Sequence, residues 1–415
     1  MNTFINKGIK NTSFLLLGKI IGIGITYATL IFVVRKVTVE EYGLLSTVRA
    51  FVGSFFIFTF GGISSAVMRE GAKDIHKMGS LYEETNGFKL LMSIFAMLAS
   101  WITLCFIPYD PKLKSLILIF SFSIMATSLY NHWKEAFTAS ENFKILMLLK
   151  VSQPALFLIL AINLVNYNNR IENLIYTQLS LQILFMVFCL LIAKKIVRFR
   201  LKLFSIRFDK KLITTGAYFF VISFAGMLFM KIDVLMVSVL GSLKEVGIYS
   251  VADKIAREGS ELRTLIIAGF FPAVIKRIKS GPISRVKVRN TVLKILILSL
   301  SAVFILSISI EKIITGIFGP QYMDSALILK YLIFYLAIEY SIYPYILLLL
   351  SSNGEKYIAI IYAVLAFANI IINYTFYQLF GLIGIAYSTI SVFSLLAFFT
   401  LTIGKKILIK ERILV

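Results

Sequence analysis

Apolar stretches of about 20 residues recur from one end of this chain to the other, separated by short polar breaks. Helices of that length cross the roughly 30 Å hydrocarbon core of a bilayer. Helices and closed barrels alone satisfy their backbone there. Twelve runs are read, at about 12–34, 43–67, 88–108, 115–139, 145–165, 174–193, 212–240, 248–273, 291–310, 326–350, 357–380 and 381–404, and the second, fourth and eighth carry internal charge. The expected fold is an all-α integral membrane protein with twelve transmembrane helices. Composition agrees: 59% of the 415 residues are apolar and 15% charged, against about 45–50% and about 25% in soluble domains. The first run follows a polar start (Asn2 to Asn11) and lacks a small-residue cleavage site, so it reads as a retained helix rather than a signal peptide.

A net charge of +22 would suggest a nucleic-acid partner in a soluble protein. Its distribution argues otherwise. Alternate loops hold 25 Lys and Arg on the side of the N-terminus and 7 on the other. The positive-inside rule then places both termini in the cytoplasm of a multi-pass protein, and no nucleic-acid partner is expected. No loop exceeds about 20 residues, which leaves no extramembrane domain for chemistry. Cys105 and Cys189 sit in apolar runs and His76 and His132 lie far apart, so neither a disulfide framework nor a metal site is expected. There is no Gly-rich phosphate loop, and Asp110-Pro111 is no paired-carboxylate motif. The reading is a non-enzyme without cofactor.

The chain also repeats itself. Thr38-Val39-Glu40-Glu41-Tyr42-Gly43-Leu44-Leu45-Ser46 returns, 204 residues later, as Ser242-Leu243-Lys244-Glu245-Val246-Gly247-Ile248-Tyr249-Ser250. Ala139-Ser140-Glu141-Asn142-Phe143-Lys144 returns at an offset of 212 as Ser351-Ser352-Asn353-Gly354-Glu355-Lys356. Two matches at nearly one offset predict two six-helix lobes, 1–205 and 206–415, related as a parallel repeat, the architecture of a transporter.

Several motifs carry a more specific resemblance. Lys231-Ile232-Asp233-Val234-Leu235-Met236 with Glu245-Val246-Gly247-Ile248-Tyr249-Ser250, and Arg35-Lys36 with Glu40-Glu41-Tyr42-Gly43, resemble signatures of the polysaccharide biosynthesis flippases. So do Phe318-Gly319-Pro320-Gln321-Tyr322, Asn353-Gly354-Glu355-Lys356 and Gly381-Leu382-Ile383-Gly384-Ile385-Ala386, in the family's order across nearly the whole chain. The family resembled is the O-antigen repeat-unit (Wzx-like) flippases, within the multidrug/oligosaccharidyl-lipid/polysaccharide exporter superfamily. The resemblance implies an alternating-access carrier in the bacterial inner membrane, serving lipopolysaccharide O-antigen biosynthesis. It would move undecaprenyl-pyrophosphate-linked oligosaccharide from the cytoplasmic to the periplasmic leaflet, among membrane lipids and other polysaccharide assembly proteins.

Charges inside the spans cost at least about 2.5–3.5 kcal/mol each and normally face a cavity or a partner. The expected substrate-binding cations are Lys19, Arg49, Lys231 and Arg257. Lys19 lies beside a stripe of Gly18, Gly22, Thr26 and Thr29, readable either as a cavity wall or as a helix interface with a snorkelling lysine. Arg49 lies about two turns inside the second span, and its planar fork suits phosphate. In the eighth span Asp253/Arg257, Lys254/Glu258 and Arg257/Glu261 stand four apart, so Asp253, Lys254, Glu258 and Glu261 are expected in structural ion pairs, with Arg257 the substrate-facing member. Asp233 shares a face with Gly226 and Met230 while Lys231 points nearly opposite. Asp233 and Glu339 are the candidates for binding a coupling proton or sodium ion, with a purely structural partner as the alternative for each. Lys134-Glu135 and Lys150 are expected to pair across the first lobe.

Two other classes compete. A multidrug or small-solute antiporter of the same superfamily fits less well, because the in-span set leans cationic, with 11 bases against 6 acids. A membrane polysaccharide polymerase or ligase would need a large external loop, which this chain lacks.

Overall fold

The computed structural model describes the backbone of residues 2–59, 62–202, 224, 231–351, 355–411 and 413–414. It describes side chains from Ser13 onward within those stretches, except at 261–273, 275, 279 and 355. Gly226, Met230, the 205/206 boundary, the Asn353-Gly354-Glu355 turn and the side chains of Glu261 and Arg263 therefore lie outside the described residues.

The chain divides into two compact units, Met1–Ser223 and Phe224–Val415. The first contains α1 (Asn2–Lys36), α2 (Val39–Phe55), α3 (Gly62–Lys73), α4 (Met78–Phe106), α5 (Pro111–Phe120), α6 (Phe122–Ala139), α7 (Phe143–Leu164) and α8 (Arg170–Val197). The second contains α9 (231–240), α10 (Leu243–Lys279), α11 (Arg285–Phe318), α12 (Met323–Leu332), α13 (Phe334–Leu350), α14 (Glu355–Phe380), α15 (Leu382–Phe399) and α16 (Lys405–Lys410). Among the described residues ten helical spans are long and apolar enough to cross a membrane. Helices α9 and α10 take the seventh and eighth places of the twelve-span architecture.

The repeat is visible in backbone devices. Thr38 caps α2, accepting from the Glu41 N–H at 3.2 Å, and the Glu41 carboxylate returns to the Thr38 N–H at 2.7 Å. Ser242 and Glu245 make the same reciprocal box on α10, at the same 3.2 and 2.7 Å. Each box satisfies two of the four N–H groups that a helix start leaves open. The fourth span is interrupted at Ser121, between α5 and α6, and the tenth at Ile333, between α12 and α13, an offset of 212 residues. The starts of α7 and α14, and of α8 and α15, keep that offset.

One difference from the sequence reading and one choice between its alternatives are physical. The second run was expected as one helix over 43–67, but α2 ends at Phe55, passes through a 3-10 turn at Phe56–Thr59, and α3 begins at Gly62. The sequence places Gly61-Gly62 at that junction, and glycine disfavours a continuous helix by about 1 kcal/mol per residue. The small stripe of α1 forms a helix interface rather than an open wall. A Cβ on Gly22 would come within 2.8 Å of the Lys150 carbonyl, and one on Gly18 within 3.0 Å of Met147 Cα, so α1 lies backbone-to-backbone along α7. Thr26 and Thr29 donate to carbonyls of their own helix, Gly22 and Ile25.

Candidate functional site

The most polar buried centre of the second unit is built around Asp233, which is 2% exposed. Its Oδ1 accepts from Asn373 Nδ2 at 2.9 Å and Asn369 Nδ2 at 3.3 Å. Its Oδ2 accepts from Thr389 Oγ1 at 3.2 Å and the Tyr249 hydroxyl at 3.3 Å, and Arg257 stands 3.8 Å away. Four helices meet here: α9 supplies the carboxylate, α10 Tyr249 and Arg257, α14 the two asparagines and α15 the threonine. Asn369 and Asn373 stand one turn apart, so both amides reach one oxygen. Arg257 donates through Nε to Asp253 at 2.6 Å, and Lys254 donates to Glu258 at 2.8 Å. Two acids therefore share one guanidinium. The Asn373 Oδ1 is buried with no hydrogen-bond partner among the described residues, leaving an acceptor beside the carboxylate.

Glu339 is a separate buried carboxylate. It accepts from Ser260 Oγ at 3.0 Å, and the adjacent Tyr340 hydroxyl donates to the Gly259 carbonyl at 2.7 Å, which ties α13 to α10. Lys231 is exposed on α9.

The first unit arranges its charge differently. Arg49, half-buried, donates through Nε to Gln178 Oε1 at 2.8 Å, and its guanidinium carbon lies 5.7 Å from the Phe157 ring centroid. No carboxylate contacts it among the described residues. Lys89 is 1% exposed and donates to the Thr59 carbonyl at 2.7 Å, satisfying backbone that the break after α2 releases. Buried His132 faces Ser64 Oγ and Thr85 Oγ1, each at 3.1 Å, while the Tyr82 hydroxyl donates to the His132 carbonyl at 3.0 Å. At the far end of the helices, Arg170 holds Glu41 through Nε at 2.9 Å and Nη2 at 2.7 Å and donates to the Lys36 carbonyl at 2.8 Å. In the second unit the equivalent Glu245 has no arginine among the described residues and accepts, beyond its Ser242 cap, the Tyr377 hydroxyl at 3.2 and 3.3 Å.

Of the residues singled out by sequence, the structure gathers Asp233, Asp253 and Arg257 in one cluster, with the Lys254–Glu258 pair on the same helix. Glu339, Lys231, Lys19 and Arg49 are placed elsewhere, and the side chain of Glu261 is not described. The expected pairing of Lys150 with Lys134-Glu135 is not formed among the described residues. Lys134 donates to Asn131 Oδ1 at 2.8 Å and lies over the Tyr130 ring at 5.5 Å, while Lys150 makes no hydrogen bond among the described residues. Sequence reasoning missed Asn369, Asn373, Thr389 and Gln178. One signal was available: two amides one turn apart in an otherwise apolar span.

The spans and the two-lobe repeat can be compared with solved structures. A multidrug resistance MATE family transporter of the MOP superfamily, solved facing inward, superposes with a TM-score of 0.69 over 95% of this chain and 98% of that one, at 14% identity. The lipid II flippase MurJ, in an inward closed conformation, gives 0.65 over 97% and 90%, at 16% identity. A MATE transporter of Vibrio cholerae gives 0.61 over 99% and 98%, at 12% identity. Identities this low establish a common fold alone. No curated protein sequence matches the chain. The family described as "Polysaccharide biosynthesis protein" matches residues 9–276, well over half of the chain, and the motifs that resemble it continue beyond that segment. This chain belongs to the polysaccharide biosynthesis protein family.

Proposed function

We propose that this protein flips undecaprenyl-pyrophosphate-linked oligosaccharide repeat units, of O-antigen type, from the cytoplasmic to the periplasmic leaflet of the bacterial inner membrane, driven by an ion gradient. Arg49 carries the anionic half of the reading. Among the described residues this in-span arginine contacts an amide and an aromatic face, which suits its fork to a phosphate oxygen pair. The Asp233 cluster supports the coupling half. A proton or small hard cation is suited by clustered oxygens, and here a carboxylate, the orphaned Asn373 Oδ1 and the Thr389 hydroxyl stand together. Arg257 competes for the same carboxylate, so cation uptake at Asp233 and release of Arg257 toward substrate would go together.

The test is reconstitution of the purified chain into vesicles with a labelled polyprenyl-diphosphate oligosaccharide. Appearance of the sugar at the outer leaflet, faster under an imposed proton or sodium gradient, is the expected result. Transport of organic cations with no movement of the lipid-linked sugar would establish the antiporter reading instead. In the proposed orientation, single cysteines at 202 and 287 label from the cytoplasm, and those at 112 and 244 from the periplasm. Labelling of position 202 from outside would reverse the topology.

A further inference from the structure

One face of α8 in the first unit carries hydroxyls that the fold leaves unused. Asn173, Tyr176, Thr177 and Ser180 recur at three- and four-residue steps, so they share one side of the helix. With Leu160 and Leu164 of α7 they line an open groove of about 450 Å³, within the range of about 300–1,000 Å³ typical of small-molecule sites. At about 1.5 Å per residue, Tyr176 and Ser180 lie about 9 and 15 Å along α8 from its start at Arg170. Arg170 is itself fixed by Glu41 and the Lys36 carbonyl. In the proposed orientation this is the periplasmic half of the bilayer, the half that holds Arg49.

The hydroxyls of Tyr176, Thr177 and Ser180 make no hydrogen bond among the described residues. Several other hydroxyls exposed on spans turn back to their own helix: Thr375 donates to the Ile371 carbonyl, Ser394 to Ile390 and Thr402 to Phe398. Asn173 donates through Nδ2 to the Asn168 carbonyl at 3.2 Å and keeps its Oδ1 open. A polar group unpaired at membrane depth is costly, so the row suits an occupant that supplies the missing partners. No charged side chain is among the lining residues, which makes the groove a poor place for a phosphate. The ester carbonyls of a phospholipid would accept from the hydroxyls but offer nothing to Asn173 Oδ1. A sugar does both, and a pyranose matches the two walls, with hydroxyls around its rim and C–H groups on its faces. The groove shares its helices with Arg49, since Gln178 follows Thr177 directly and Phe157 stands one turn before Leu160.

We propose that this groove is a subsite for a neutral sugar ring of the lipid-linked substrate, its hydroxyls bound by Asn173, Tyr176, Thr177 and Ser180 and its C–H face laid against Leu160 and Leu164. This rests on the flippase reading and adds to it where the glycan, as distinct from the anion, is held.

The test uses the full chain in phosphatidylethanolamine nanodiscs with two fluorescent probes. One is farnesyl-diphosphate-linked N-acetylglucosamine, and the other is farnesyl methyl diphosphate, which has the same charge and no sugar. The wild type is expected to bind the sugar probe about tenfold more tightly, as for a few neutral hydrogen bonds. Thr177→Val with Ser180→Ala removes hydroxyls that hold nothing within the protein, so the melting temperature should stay. The preference for the sugar probe should fall to about twofold or less, with binding of the methyl probe unchanged. Tyr176→Phe should cut the preference about threefold, and it decides the matter alone if the double variant does not fold. An unchanged preference in these variants overturns the proposal, and so does an equal loss of both probes. Equal binding of both probes by the wild type, as a groove filled by phospholipid would give, also overturns it. Those results leave the flippase reading standing. A wild type that binds neither probe takes down both.

Discussion

At the repeat offset of 204, Arg49 of the first lobe stands where Asp253 stands in the second, and each lobe has solved the burial of an in-span charge differently. Arg49 leans on the neutral Gln178 and the Phe157 ring. Arg257, one turn beyond Asp253, is held by Asp253 at 2.6 Å and approached by Asp233 at 3.8 Å. Around these centres the backbone devices are shared: reciprocal capping boxes at Thr38/Glu41 and Ser242/Glu245, and interruptions at Ser121 and Ile333. Duplication has kept what the backbone requires and left in-span charge free to diverge. In the first lobe Arg49 meets an amide and a ring among the described residues, and in the second Arg257 lies between two acids.

The largest effect expected from this difference is at the two arginines. Arg49→Ala should abolish surface polymer while the folded protein level stays near wild type, with Arg49→Lys recovering only part of the activity. Arg257→Ala should instead deplete folded protein, because two buried carboxylates lose their counter-charge, a loss of order 3–5 kcal/mol. Protein level and polymer, measured together in a deletion background, separate the cases. Equal depletion of both variants would erase the contrast between the lobes.

Next in size is Asp233→Asn. It keeps shape and removes the charge that Arg257, Asn369, Asn373, Thr389 and Tyr249 surround. Transport in vesicles should persist but lose its dependence on an imposed ion gradient. Full gradient dependence in the variant would leave Glu339 as the remaining carboxylate for coupling.

A smaller effect tests the other asymmetry, the broken second span. Helix α2 stops at Phe55 and the Thr59 carbonyl is taken by Lys89, whereas the backbone of α10 runs unbroken to Lys279. Lys89→Met should strand that carbonyl and lower stability by about 1–3 kcal/mol, read as a fall in the melting temperature of the purified protein. An unchanged melt would mean that Lys89 serves something other than the break. The smallest effects are at the caps. Thr38→Ala and Ser242→Ala should each cost about 1 kcal/mol, and a cap that costs nothing in one lobe alone would show that the shared device is not equally used.

Much of the scaffold was legible in the sequence, because span length and hydropathy act locally and the capping boxes are written within four residues. The interruptions at Ser121 and Ile333 were not, since neither carries a glycine or proline signal and each sits in a continuous apolar run. The break in the second span, by contrast, falls at Gly61-Gly62, a signal that the continuing apolar run outweighed. At the candidate sites, the i,i+4 pairs Asp253/Arg257 and Lys254/Glu258 follow from helix geometry. The partners of Asp233 at 369, 373 and 389, and Gln178 beside Arg49, lie more than a hundred residues away in sequence. Only packing brings them together, and periodicity carries no record of it. The α1 stripe shows the converse: small residues predicted a special surface, and only the approach of α7 shows that the surface is a helix contact.

The central claim is a division of labour, anion handling in the first lobe and coupling in the second. It is tested most directly by measuring binding of a labelled polyprenyl-diphosphate oligosaccharide to Arg49→Ala and Asp233→Asn side by side, in the same vesicles used for transport. The account predicts that Arg49→Ala loses binding and transport together, by about tenfold or more, while Asp233→Asn binds as the wild type does and fails only to respond to the gradient. Wild-type binding by Arg49→Ala, or lost binding in Asp233→Asn with its fold intact, would contradict it.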